Sequence, residues 1–138
     1  MSFDLIVKGG VLADGTAADV AVSGHRIVAV EAGIAAEAGE VIDADGKLVS
    51  APFVDAHFHM DSTLSYGRPR INASGTLLEG IALWGELKRI QTRQEIVDRA
   101  LEYCRTALAN GTLAIRSHVD VTDESFATVE ALIEVRER

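Results

Sequence analysis

Two histidines separated by one residue, His57 and His59, form the pattern in this sequence that is best suited to chemistry. The stretch Phe53–His59 follows Pro52 and alternates apolar and polar residues, which predicts a β-strand. Because alternate side chains of a strand share a face, Asp55, His57 and His59 are expected to point the same way. Two neighbouring imidazoles can bind one divalent cation together, and imidazole suits zinc, iron, copper or nickel.

The histidine pair is not by itself a catalytic metal site. A catalytic zinc ion usually takes three protein ligands and a water molecule, so His57 and His59 would be part of a larger set. A bare His-x-His pattern also arises by chance, and the alternative is a pair of histidines with no metal. The chain has one cysteine, Cys104, which excludes metal sites built from several cysteines and any disulfide within the chain.

A second strand is predicted over Thr112–Val121. Its alternation places Arg116, His118 and Asp120 on one face. If the two strands lie side by side, His118 and Asp120 approach the histidine pair. There, like Asp61, they could orient a metal ligand or contact a substrate. The alternative is that His118 and Asp120 form a hydrogen-bonded pair inside the fold.

Helices are predicted between and after these strands. Thr92 followed by Glu95 is a capping-box pattern, and apolar residues then recur at helical spacing until Asn110-Gly111. Two further helices are expected, one from near Thr76 to Lys88 and one after Thr122-Asp123. Strands that alternate with helices are typical of a parallel α/β fold, either an open sheet or a barrel.

The first 51 residues differ from the rest in their pattern. Short apolar stretches such as Leu5–Val7 and Val20–Val22 are separated by turn-forming pairs such as Asp14-Gly15. We therefore expect two domains. Residues 1–51 form the N-terminal part of a small β domain, and residues 52–138 form the first two strands and associated helices of a larger α/β unit.

Composition and charge argue against several classes of function. Of the 138 residues, 48% are hydrophobic and 25% are charged, which is typical of a soluble globular protein. The net charge of −8, without a cluster of Lys or Arg, disfavours a nucleic-acid partner. Charged residues and Gly keep every apolar stretch below the roughly 20 residues of a membrane span. Asp4 and Lys8 interrupt the region that a secretory signal keeps apolar, so a cytoplasmic protein is expected.

Three segments resemble the amidohydrolase superfamily and, within it, the bacterial cytosine deaminases: Pro52–Asp61, Asn72–Ile81 and Arg116–Val121. The resemblance implies a metal-dependent hydrolase whose TIM barrel is incomplete in this chain and is preceded by a small β-sandwich-like domain. It also implies the hydrolytic deamination of a free pyrimidine base, cytosine to uracil and ammonia, at one iron or zinc ion.

The resemblance assigns roles to three residues. His57 and His59 match the two metal ligands of the first barrel strand, and Leu77 matches a residue whose main-chain carbonyl contacts the base. The catalytic acid–base residues and the remaining metal ligands are expected beyond Arg138. A complete TIM barrel needs about 250 residues, so we expect the chain to be inactive by itself.

Two other interpretations stay open. The Met60-Asp61 pair and the segment His118–Asp120 also resemble triazine-ring hydrolases, so the substrate could be another cyclic amidine such as isocytosine, a triazine or creatinine. The chain could instead be a non-catalytic partner that completes or regulates another barrel. The expected partners are a small pyrimidine-like molecule and either further copies of the chain or a complementing C-terminal segment.

Trp84, on the predicted helix from near Thr76 to Lys88, is expected to be a packing residue.

Overall fold

The structure, a computed structural model, describes residues 2–122 and 124–138. The chain divides into two compact units, Met1–Ala51 and Pro52–Arg138. Within the described residues, no helix has both the length and the apolar composition needed to cross a membrane.

The first unit is built on one four-stranded mixed sheet made of β1 (Phe3–Val11), β2 (Ala17–Ser23), β3 (Arg26–Glu31) and β4 (Ala38–Asp43). The strand order is β3-β2-β1-β4. β1 pairs antiparallel with β2 and parallel with β4, and β2 pairs antiparallel with β3. The turn after β1 contains Gly15 at φ +86°, a conformation that glycine adopts without steric cost. The β-sandwich-like arrangement stays a prediction.

The core of this unit is small and includes one buried carboxylate. Ile6, Ala21 and Ile34 pack together with almost no exposure. Asp19 is buried beside them and accepts hydrogen bonds from the backbone N–H groups of Gly9 at 2.8 Å and Ile34 at 2.9 Å. The bond from Gly9 is the main cause that lowers the pKa of Asp19. The carboxylate thereby ties the loop before β4 to β1 and β2.

The second unit contains two parallel strands and three helices, which confirms the α/β class. Both strands are shorter than predicted, since they end at Phe58 and Ser117 rather than at His59 and Val121. The elements are β5 (Phe53–Phe58), α1 (Leu77–Lys88), α2 (Arg93–Ala109), β6 (Thr112–Ser117) and α3 (Ala127–Glu137).

The helices begin largely where the sequence predicts. Thr76 caps α1, and Thr92 caps α2 in a complete capping box with Glu95. α3 follows Phe126, which has a left-handed backbone conformation and no side-chain cap. The predicted start of the third helix at Thr122-Asp123 falls partly on Asp123, which lies outside the described residues.

The core of the second unit lies between α2 and α3. Ile96, Val97 and Ala100 of α2 pack against Ala131 of α3, and Met60 closes the same cluster. Cys104 packs at its edge, and burial raises the pKa of its thiol. The cysteine is therefore a packing residue, as its position on the apolar side of the helix predicts.

We expect Thr92→Ala to lower the free energy of unfolding by about 1 kcal/mol, because the substitution leaves the N–H of Glu95 without its capping acceptor. Urea denaturation measures the change. Thr106→Ala is the matched control on the same helix, since its hydroxyl only donates to the Glu102 carbonyl at 3.1 Å. Equal losses in the two variants would contradict the capping role.

The capping box also makes stability depend on pH. The backbone N–H of Thr92, followed by Arg68 at 2.7 Å, lowers the pKa of Glu95 to about 2. A lowered pKa in the folded state gives stability that is present above the ordinary pKa of Glu and is lost as the pH falls towards about 2. We therefore expect the stability difference between wild type and Glu95→Gln to shrink as the solution is acidified through this range. A difference that stays constant in urea titrations across the range would contradict this assignment.

Candidate functional site

The candidate site lies where β5 and β6 end side by side. The two strands are parallel, so their C-terminal ends meet at one edge, which is where α/β proteins place ligands. The backbone N–H of His118 donates to the carbonyl of Phe58 at 2.6 Å just past the last residue of β6. This bond holds the segment after β6 next to the segment that carries His57 and His59.

Three imidazole rings gather at this edge. The ring centroids of His57 and His59 are 5.7 Å apart and tilted by 56°. His118 lies 5.8 Å from His59 and stacks on His57 at 3.8 Å with an interplanar angle of 15°. His118 therefore lies close to the histidine pair, as predicted for two neighbouring strands.

The separations decide which rings can share an ion. With metal–nitrogen distances of about 2.0–2.1 Å, two imidazoles on one zinc ion have centroids roughly 5–6 Å apart. His57 and His59 fit this spacing, and so do His59 and His118 at 5.8 Å. His118 is stacked too closely on His57 for these two rings to bind the same ion, so His59 can share an ion with one of them, and the buried Nδ1 of His118 favours the more exposed His57. Within residues 2–122 and 124–138, no three side chains of His, Cys, Asp or Glu are grouped so that they could hold a metal ion.

The donor set therefore fits part of an iron or zinc site. His57 is exposed, and His59 is half exposed, so both rings are open to an ion and to additional ligands. Nδ1 of His118 is buried and has no hydrogen-bond partner among the described residues. A buried polar atom without a hydrogen-bond partner lowers the stability of the fold. Such an atom at this edge of the sheet favours a functional role for the polar groups there.

Asp61 is the buried acid of the site, with 1% of its surface exposed. Its Oδ2 accepts a hydrogen bond from the backbone N–H of Asp120 at 2.9 Å, and its Oδ1 accepts one from Ser62 at 3.0 Å. Oδ1 also lies 3.5 Å from Nδ1 of His59. At 3.5 Å this is a polar contact and not one of the hydrogen bonds of the site. It places the carboxylate on the Nδ1 side of the ring and leaves the other ring nitrogen for a metal.

The structure corrects the predicted position of Asp120. β6 ends at Ser117, so the alternation that would place Arg116, His118 and Asp120 on one face does not extend to Asp120. Its carboxylate accepts hydrogen bonds from Lys88 at 2.6 Å and Trp84 at 2.7 Å, both on α1. These bonds, that of Lys88 first, hold the pKa of Asp120 well below its ordinary value. The alternative of a hydrogen-bonded pair between His118 and Asp120 is not found among the described residues.

The alternation predicted for β5 also fails in part. The pairing of β5 with β6 is irregular between Asp55 and Phe58. Both residues contact Tyr103 of α2: the tyrosine hydroxyl donates to Asp55 at 3.3 Å, and its ring stacks on Phe58 at 4.0 Å. The other oxygen of Asp55 accepts a hydrogen bond from the backbone N–H of His57 at 3.2 Å, so the carboxylate contacts the main chain of His57 and the side chain of Tyr103. On the predicted apolar face, Met60 is buried, but Val54 is 66% exposed.

Leu77, the expected substrate contact, is the first residue of α1, and 78% of its surface is exposed. Its role stays a prediction.

Sequence reasoning missed three residues that hold the site together. Trp84, assigned to packing alone, also donates a hydrogen bond from its indole, and Lys88 shares the same acceptor. Arg99 of α2 donates to the main-chain carbonyls of Thr63 at 3.0 Å and Asp61 at 3.3 Å. The spacing of Trp84 and Lys88, four residues apart on one helix face, is the signal that could have paired them.

A cavity of about 530 Å³ in the second unit is lined by Met60, Ser117 and Val119, which are chain neighbours of the histidines, but by none of the three imidazoles. It is lined mainly by apolar side chains of β6, α2 and α3, such as Leu113, Leu108 and Leu132. Its lining offers few polar groups to orient a ligand. The chemistry is therefore located at the ends of the strands.

Comparison with known proteins identifies the class. The model of the family described as "Amidohydrolase family" matches residues 40–129, and the chain belongs to this family. It is 35% identical, over 98% of its length, to N-isopropylammelide isopropyl amidohydrolase of Pseudomonas sp. (strain ADP), of which it covers 35%.

Solved structures give the same result. The 5-methylcytosine deaminase of Klebsiella pneumoniae superposes with a TM-score of 0.85 and 34% identity, over 96% of this chain and 33% of that protein. The N-isopropylammelide isopropylaminohydrolase of Burkholderia multivorans superposes with a TM-score of 0.75 and 25% identity, over 96% of this chain and 34% of that protein. The chain thus spans about a third of the length of these relatives.

We expect Asp61→Ala to destabilise the chain by about 1–3 kcal/mol, because it leaves the partly buried N–H of Asp120 without an acceptor. Chemical denaturation of the variant and wild type measures the loss. Asp98→Ala is the matched control, since Asp98 is exposed and accepts only from Gln94 at 2.8 Å. If both substitutions cost the same, Asp61 does not connect the two segments.

Proposed function

We propose that this chain supplies the first part of a metal-dependent hydrolase that removes an amine from a ring carbon of a free pyrimidine base, cytosine or a close analogue. The observation that carries the proposal is the pair of imidazoles, His57 and His59, spaced at 5.7 Å at the end of a parallel strand. The similarity to 5-methylcytosine deaminase over 96% of the chain supports the substrate class.

The proposal includes the architecture. We take β5 and β6, with their helices, as the first two strand–helix units of a TIM barrel, and residues 1–51 as part of a small β domain that precedes it in the sequence. This agrees with the parallel pairing of the two strands and with the active-site end at which the histidines lie. The remaining metal ligands and the acid–base residues would come from outside residues 1–138.

Each residue of the site has a part in this proposal. His57 and His59 hold an iron or zinc ion, which when bound lowers the pKa of a water molecule to near neutral. Asp61 faces Nδ1 of His59 and so directs the opposite nitrogen of the ring toward the ion. Leu77 accepts a hydrogen bond from the base through its main-chain carbonyl. The nucleophilic water replaces the amine on the ring carbon, and ammonia leaves.

A related substrate class is the second candidate. The 35% identity with N-isopropylammelide isopropyl amidohydrolase, over 98% of the chain, favours an amine-substituted triazine. The two candidates share one reaction, the replacement of an amine by oxygen on a six-membered nitrogen ring. The sequence identities, 34% with the pyrimidine deaminase and 35% with the Pseudomonas relative, do not separate the two candidates. The higher TM-score of the pyrimidine deaminase, 0.85 against 0.75, supports the pyrimidine as our first candidate.

The test uses the complete polypeptide that carries this sequence, loaded with Fe²⁺ or Zn²⁺. We expect ammonia release from cytosine or 5-methylcytosine, and loss of both bound metal and turnover, by more than about 100-fold, in the double variant His57→Ala/His59→Ala. His25→Ala is the matched control, because His25 is exposed in the turn between β2 and β3. The 138-residue chain alone is expected to release no ammonia.

Two outcomes would contradict the proposal. Full turnover in the double variant would exclude the two histidines as metal ligands. Faster release of isopropylamine from N-isopropylammelide than of ammonia from either pyrimidine would replace the first substrate class with the second.

A further inference from the structure

The carboxylate of Asp120 joins α1 to the segment that follows β6. Nζ of Lys88 lies 2.6 Å from Oδ2 of Asp120, and Nε1 of Trp84 lies 2.7 Å from the same oxygen. The other oxygen accepts from the backbone N–H and the hydroxyl of Thr122. The ion pair is well shielded from solvent, with side-chain exposures of 14% for Lys88 and 21% for Asp120. Removing one partner of a shielded pair leaves the other charge uncompensated.

The backbone of Asp120 extends this connection toward the histidines. With its side chain held by α1, its N–H points at Oδ2 of Asp61 at 2.9 Å. The other oxygen of Asp61 lies 3.5 Å from Nδ1 of His59. An unbroken series of polar contacts therefore runs from α1 through Asp120 and Asp61 to the ring of His59.

We propose that Lys88 and Trp84 are positioning residues for the metal ligand His59. By binding the carboxylate of Asp120, they fix the backbone N–H of Asp120, which donates to Asp61. The carboxylate of Asp61 in turn holds its place on the Nδ1 side of the His59 ring. The inference rests on the proposed function only in that His59 binds a metal. It adds to the site two residues of α1, a helix that carries neither His57 nor His59.

The packing of α1 explains why these two bonds matter. The buried residues of the helix are Leu83 and Leu87, whereas Leu77, Leu78 and Ile81 are largely exposed. Two apolar contacts define the rotation of the helix only weakly. Arg70, which pairs with Glu79 at 2.6 Å and Glu86 at 3.0 Å, joins α1 to the loop before it and not to the segment after β6. The two hydrogen bonds to one oxygen of Asp120 fix the rotation of α1 relative to the segment after β6, because their donors lie one helical turn apart. α1 also begins at Leu77, so the same bonds set the position of the expected substrate contact.

The test compares Lys88→Met and Trp84→Phe in the complete polypeptide. Lys88→Met removes the charge and keeps most of the length, and Trp84→Phe removes only the indole donor and keeps an aromatic ring. We expect each to weaken Zn²⁺ binding, by about 10-fold for Lys88→Met and less for Trp84→Phe, in a competition titration against a chelator. Lys88→Arg should restore most of the affinity. Lys47→Met is the control, since Lys47 is an exposed lysine in residues 1–51.

The nitrogen chemical shifts of the His59 imidazole give a second readout. In the metal-free protein they should move in Lys88→Met and Trp84→Phe but not in Lys47→Met, because the ring loses its fixed orientation. Trp84→Phe keeps the test decisive if Lys88→Met does not fold. Unchanged shifts together with a Zn²⁺ affinity within about twofold of wild type in folded variants would overturn the inference.

The outcomes separate this inference from the proposed function. Protein that binds Zn²⁺ through His57 and His59 but deaminates no heterocycle would contradict the proposed function and leave the positioning roles standing. Wild-type Zn²⁺ affinity in His57→Ala/His59→Ala would overturn both.

Discussion

The buried carboxylate of Asp61 holds the segment after β5 to the segment after β6, and the arrangement of the candidate site depends on it. An ionised carboxylate is costly to bury unless it is hydrogen-bonded. The N–H groups of Asp120 and Ser62 meet this need, and Arg99 fixes the main chain by donating to the Asp61 carbonyl. Together with the bond from the His118 N–H to the Phe58 carbonyl, this connection keeps the three imidazoles at one edge of the sheet.

This constraint explains the chemistry that the edge of the sheet can support. Two rings at 5.7 Å suit a common ion, while the third ring stacks on one of them and adds no ligand to the same ion. The chain belongs to the amidohydrolase family and spans about a third of its relatives. A partial ligand set is consistent with that share, since a catalytic zinc ion needs a third protein ligand and an open position.

Much of the local structure could be predicted from the sequence. The capping box of Thr92 and Glu95 forms as expected, α1 begins after Thr76, and the two strands pair in parallel. The strand lengths and the direction of Asp120 could not be predicted. Alternation of apolar and polar residues predicts which side chains share a face within a strand. It does not predict the last residue of the strand, because that depends on where the neighbouring strand stops pairing.

The sequence by itself determined the pair of histidines, the α/β class and the family, because each rests on residues that are close along the chain. Only the tertiary structure decided that Asp120 turns to Lys88 and Trp84, that Asp55 bonds to Tyr103, and that Asp61 faces His59 while accepting from Asp120. Most of these contacts join residues that are tens of positions apart. Their geometry is set by how the helices pack on the strands, which no periodicity of neighbouring residues records.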